Sequence, residues 1–159
     1  MELRTEIEID ATPAAVWQVL TDFRRYPEWN PFIVSIEGQL SPGGELRVAL
    51  SPPESREYHI LPQVVRCEPE QELRWRGQWG ARFLFQGEHF FRLVALDGAR
   101  TRFIHGEDFN GILVRWLGRQ LTHVARGFVF MNQALKRRVE SSAHSPVSVS
   151  RGADRAASP

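Results

Sequence analysis

The stretch Thr101-Arg102-Phe103-Ile104-His105-Gly106-Glu107-Asp108-Phe109-Asn110-Gly111-Ile112-Leu113 contains the change of period on which the fold turns. Up to Phe109 the chain alternates. Thr101, Phe103, His105, Glu107 and Phe109 fall in one phase, and Arg102, Ile104, Gly106 and Asp108 in the other. Period two marks a strand. Past Asn110-Gly111 the apolar residues recur every three or four positions, at Leu113, Leu117, Leu121, Val124, Phe128, Met131 and Leu135. That spacing predicts a long amphipathic helix ending near Glu140, about 42 Å long at 1.5 Å per residue. Gly118 and Gly127 lie inside it. Each costs roughly 1 kcal/mol against alanine, and each would let the helix approach a sheet closely or leave space beside it.

Toward the N-terminus the strand pattern continues. Ala81, Phe83, Phe85, Gly87, His89, Phe91, Leu93 and Ala95 share a face, and Asp97-Gly98-Ala99 is a turn that returns the chain into the 101–109 strand. Leu73, Trp75, Gly77 and Trp79 form another face. Shorter alternating runs cover 32–37 and 46–50, and 56–67 is extended but interrupted by Pro62, which suggests a bulge or an edge. The chain opens with the alternating strand Leu3 to Ile9. A helix begins behind it, with Thr12 as N-cap and Pro13 in the first helical position. A second short helical turn, 22–26, is expected to break at Pro27. The fold class is therefore α+β: a curved antiparallel sheet of about seven strands, two short helices after the first strand, and a long C-terminal helix as the one element able to cover the apolar face. Residues 1–140 read as one domain. Residues 141–159, rich in Ser, Ala, Gly and Arg without periodicity, read as a disordered tail.

Composition narrows the function. The net charge of +1, with 20 basic residues interspersed among 19 acidic ones, supplies no field for nucleic acid. No run approaches the ~20 apolar residues of a membrane span. The N-terminus lacks a signal-peptide core, so the expected location is cytoplasmic, without membrane insertion. One cysteine, Cys67, excludes an internal disulfide. No phosphate loop or nucleophile elbow is present, and no cofactor is called for. Ten Phe and five Trp against two Tyr suit either a core or the lining of an apolar pocket.

The sharpest chemical candidates are His89, His105 and Glu107. A three-residue loop at 97–99 pairs Leu96 with Arg100, Leu93 with Phe103, Phe91 with His105, and His89 with Glu107. The three polar groups then cluster on the face of Phe83, Phe85 and Phe103. Glu107 would orient His89, which could serve as general acid or base or hydrogen-bond a ligand carbonyl. A structural or simple ligand-contact role is preferred to catalysis, because such pairs also serve structure. Two His and a carboxylate could hold a metal, but the spacing matches no signature and no metal is assigned. The expected pocket lining is Trp29, Trp75, Phe83, Phe85, His89, Phe91, Phe103, His105, Glu107, Leu117, Leu121, Val124 and Phe128. For Trp29, a plug holding the short helices onto the sheet is an equal alternative.

The ordered set Ile7-Glu8-Ile9-Asp10-Ala11-Thr12-Pro13-Ala14-Ala15-Val16-Trp17, Leu20-Thr21-Asp22-Phe23, Tyr26-Pro27-Glu28-Trp29-Asn30-Pro31, Gly87-Glu88-His89-Phe90-Phe91 and Phe109-Asn110-Gly111-Ile112-Leu113 resembles the START-like, Bet v 1-like superfamily. Its bacterial members include the SRPBCC "polyketide cyclase/dehydrase and lipid transport" proteins. The resemblance implies a helix-grip fold with an apolar cavity between sheet and last helix. It implies function less narrowly, since relatives bind lipids, sterols, quinones or hormones, cyclise polyketides, or act as co-chaperones. The expected function is binding of an apolar small molecule such as a lipid, quinone or polyketide-like compound. The alternatives are a polyketide aromatase/cyclase using the His–Glu pair and a protein-interaction module with a protein partner.

Overall fold

The computed structural model describes residues 1–79, 85–111 and 118–143. In chain order the elements are β1 (Glu2–Ile9), α1 (Pro13–Thr21), a 3-10 turn (Phe23–Arg25), α2 (Tyr26–Trp29), β2 (Ile33–Gly38), β3 (Leu46–Leu50), β4 (Tyr58–Ile60), β5 (Gln63–Glu68), β6 (Glu72–Trp79), β7 (Phe85–Leu96), β8 (Arg100–Asn110) and α3 (Gly118–Ala143). Two antiparallel sheets run β1-β8-β7-β6-β5 and β2-β3-β4. They are stitched where β3 begins: Gly43 N donates to Val64 O, Val64 N to Gly44 O and Leu46 N to Pro62 O, at 2.8–2.9 Å. The result is a curved wall, with α3 packed against β1 and β8 and reaching α1 and α2.

Local chemistry sets the boundaries. The Thr12 side chain accepts from Ala15 N at 3.3 Å and caps α1, with Pro13 in its first turn. Pro27 does not break the next turn as expected. It sits in the first turn of α2, where a missing N–H costs nothing. Pro62 divides the 56–67 stretch into β4 and β5, which raises the count from about seven strands to eight among the described residues. The β7–β8 hairpin has the expected odd loop: Leu96 faces Arg100, Phe91 faces His105, and His89 faces Glu107. The α3 helix runs to Ala143, three residues past the expected end. Leu113 and Leu117, and the tail beyond Ala143, lie outside the described residues.

The wall has two unlike faces. Outward, Arg74 reaches Glu72 at 2.7 Å, Glu88 at 3.2 Å and Asp108 at 3.4 Å, and stands 4.7 Å over the Phe90 ring. Arg76 pairs with Glu88 at 2.7 Å, so these basic side chains are spent on neighbouring carboxylates. Inward, Leu73, Trp75, Phe91, Leu93 and Phe103 join Phe128, Met131 and Leu135 of α3 in one core. Gly127 lets α3 close on the rest. A Cβ there would drive into the Phe32 ring, which fills the place beside Phe128. Among the described residues no helix is long and apolar enough to cross a membrane.

Candidate functional site

A cavity of ≈ 640 Å³ opens at the Gly87–Asn110 end of the β7–β8 hairpin. Leu50, Pro52, Tyr58, Ile60 and Leu61 form one side, Trp75, Gly77, Gly87, His89, Glu107 and Phe109 the sheet wall, and Leu121, His123 and Val124 the side of α3; Phe32, Ser55 and His59 complete the lining. Gly77 and Gly87 face each other across β6 and β7 and thin the wall there. Among the described residues a Cβ on Gly77 would meet nothing within 4 Å, whereas one on Gly87 would strike the Glu107 carboxyl. Paired strand glycines of this kind mark a place where something else approaches the backbone. A shallower hollow of ≈ 510 Å³ lies on Asp10, Ala11, Thr12, Ala15 and the Gly98–Arg100 turn, away from any buried titratable side chain.

Between the sheet and α3 runs a polar chain. Thr5 Oγ1 donates to the main-chain oxygen of His105 at 3.2 Å. Asn132 Nδ2 donates to Thr5 Oγ1 at 3.0 Å. Asn132 Oδ1 lies 2.9 Å from His105 Nδ1, and His105 Nε2 lies 3.0 Å from His89 Nε2. His89 Nδ1 lies 3.6 Å from Glu107 Oε2, which is longer than a hydrogen bond. His89 is stacked on Trp75, rings 4.9 Å apart and 3° from parallel, and His105 on Phe128 at 3.8 Å. Burial holds His89 down at about 3 and His105 well below its ordinary range, with the neighbouring His89 adding to the effect on His105, so both imidazoles are neutral. Burial, and then the nearby Asp108, push the Glu107 carboxyl up to about 8. Only 20% of the Glu107 side chain is exposed.

Of the residues expected to line the pocket, Trp75, His89, Glu107, Leu121 and Val124 do so. Others stand elsewhere. Phe91, Phe103 and His105 are completely buried, and Phe128 with them, because strand residues nearer the turn face the middle of α3 rather than its open end. They form the floor between the sheet and α3. Trp29 is not on the cavity: its ring packs edge-on against Tyr26 of the same helix at 5.0 Å and lies partly buried against the core. Phe83 and Leu117 lie outside the described residues. Phe85 stands in β7 opposite Trp79. Among the described residues no group of three or more His, Cys, Asp or Glu could hold a metal ion. Cys67 is half-buried, with its thiol pushed up by burial, which disfavours the thiolate.

Sequence reasoning missed Asn132 and Thr5, which orient the two imidazoles, and Tyr58, which reaches the cavity from β4. Asn132 had left a signal. It falls four residues after Phe128 on the core face of α3, and a polar residue at an apolar position calls for a partner.

The sequence matches the family model for polyketide cyclase/dehydrase and lipid transport over residues 1–140, and the chain belongs to that family. Solved structures agree in fold. Zhui aromatase/cyclase from Streptomyces sp. R1128 is similar with a TM-score of 0.75 at 16% identity, over 91% of this chain and 96% of that one. A protein from Thermus thermophilus has a TM-score of 0.70 at 17% identity, over 90% and 99%. A START superfamily protein from Mycobacterium smegmatis has 0.62 at 23% identity, over 89% and 98%. No curated protein matches the sequence.

Proposed function

We propose that this chain binds an uncharged or weakly polar apolar small molecule in the cavity between sheet and α3, and carries or sequesters it. One observation carries the proposal: a space of ≈ 640 Å³ with a mainly apolar lining that includes Leu50, Ile60, Trp75, Leu121 and Val124, its polar side chains being Ser55, Tyr58, His59, His89, Glu107 and His123. Small-molecule sites occupy roughly 300–1,000 Å³ and are mostly apolar with a few convergent polar groups. Native mass spectrometry of gently purified protein tests it. The expected spectrum shows a non-covalent adduct, or one-to-one uptake of an added quinone, fatty acid or aromatic dye. A bare mass with no uptake of any of them contradicts it.

A second function is favoured by one specific feature. Glu107 is a carboxyl held near neutrality in its proton affinity, at the wall of the cavity and 3.6 Å from His89. Such a group suits general acid–base work, including enolisation and loss of water in a folded polyketide. Replacement of Glu107 by Gln would then abolish cyclisation while sparing ligand uptake. Cyclisation at the unaltered rate in that variant would remove the catalytic role.

A further inference from the structure

We propose that Glu107 is the specificity-determining residue of this cavity and stands in it as an uncharged hydrogen-bond donor, selecting a neutral apolar molecule that ends in a hydroxyl over one that ends in a carboxylate. This deepens the binding function proposed above and rests on it.

The polarity of the chain between the sheet and α3 decides the matter. The Thr5 hydroxyl gives its hydrogen to the His105 carbonyl, so its oxygen is free to accept from Asn132 Nδ2. That fixes the amide, with Oδ1 toward His105 Nδ1. A carbonyl oxygen only accepts, so Nδ1 carries the hydrogen of a neutral His105 and Nε2 is bare. The bare Nε2 accepts from His89, which therefore carries its own hydrogen on Nε2. His89 Nδ1 is then bare as well, and it is the nitrogen nearest Glu107. A bare nitrogen offers nothing to a carboxylate. Reversing every bond would let His89 Nδ1 donate to Glu107, but it would cost the Thr5–His105 bond. Burial acts on the Glu107 carboxyl in the same direction.

Beside Glu107 two groups are then left for a guest, the Glu107 O–H and the His89 Nδ1 lone pair, too far apart at 3.6 Å to satisfy each other, while Ser55, Tyr58, His59 and His123 line the rest of the cavity. A hydroxyl serves both, accepting from the first and donating to the second. A hydrocarbon serves neither. A carboxylate only accepts, and beside Glu107 and His89 it would meet no lysine or arginine among the described residues lining the cavity, whose other basic side chains are His59 and His123. Set against Glu107 and the bare His89 nitrogen, its charge would be buried without a donor.

The test uses three probes on one skeleton, methylnaphthalene, naphthylmethanol and naphthoate, titrated into the full chain at neutral pH by calorimetry. Naphthylmethanol is expected to bind at least about tenfold more tightly than either of the others, one good hydrogen bond in a dry site being worth that factor. Glu107→Ala should bring the alcohol level with the hydrocarbon. Glu107→Gln, still a neutral donor, should keep the alcohol ahead. Naphthoate binding as tightly as the alcohol, or an undiminished preference in Glu107→Ala, overturns the proposal. Equal binding of all three removes the role of Glu107 and leaves the cavity as a ligand site. Binding of none removes both.

Discussion

At the scale of single residues, Glu107 writes its burial into the pH dependence of stability. Its carboxyl titrates at about 8 in the fold against an ordinary 4.5. Between those values the folded chain holds a proton that the unfolded chain has released, so stability falls as pH rises through this window. The contribution is complete below 4.5 and lost once the pH passes about 8. Glu107→Gln abolishes it. In thermal melts the variant should unfold several degrees above the wild type at pH 9 and close to it at pH 5; an equal difference at both would refute the burial argument. The histidines run the other way. His89, held down at about 3, favours the fold above its ordinary 6.5 and ceases to as acid protonates it. The His89–Glu107 pair was legible because an odd hairpin loop fixes every facing pair on its two strands. The partner of Asn132 was not, because its contact with His105 depends on how α3 is rotated against the sheet, which periodicity gives only to within a face.

At the scale of elements, glycines decide how closely parts approach. Gly127→Ala should gain about 1 kcal/mol in helix propensity yet force a methyl into the ring of Phe32, a side chain only 2% exposed. Overpacking of this kind costs about 1–3 kcal/mol. The expected balance is a net loss of about 1 kcal/mol in urea unfolding, and a stabilised variant would mean that Phe32 moves freely. Gly77→Val is the contrary case. Among the described residues nothing stands where its side chain would enter, so the fold should be as stable as before or slightly more so, while ligand uptake weakens. A drop of several degrees in Tm would show that the space is not open. The alternation of Leu73, Trp75 and Gly77 placed these residues on one face, but a glycine in a pattern does not say whether its missing side chain leaves a gap or admits a neighbour. Gly77 does the first and Gly127 the second.

At the scale of the molecule, the change of period after Asn110 carried most of the architecture: strands before it, one covering helix after it, and a space where the curved wall and the helix part. The ordered motifs reached the family by a separate route, and the family match spans the same residues, 1–140. What the sequence could not give was the location of the cavity along the grip. The aromatic face was expected to line it throughout, yet Phe91, Phe103 and Phe128 fill the floor, and the opening begins only where side chains shrink to Gly77 and Gly87. The central claim is that this opening receives a small apolar molecule. The measurement that tests it most directly is titration of a neutral fluorescent apolar dye into the wild type and into Gly77→Leu, with both shown to melt cooperatively. One dye per wild-type chain and binding weakened at least tenfold in Gly77→Leu are the expected results; equal affinity in the two proteins, or no uptake by the wild type, would contradict it.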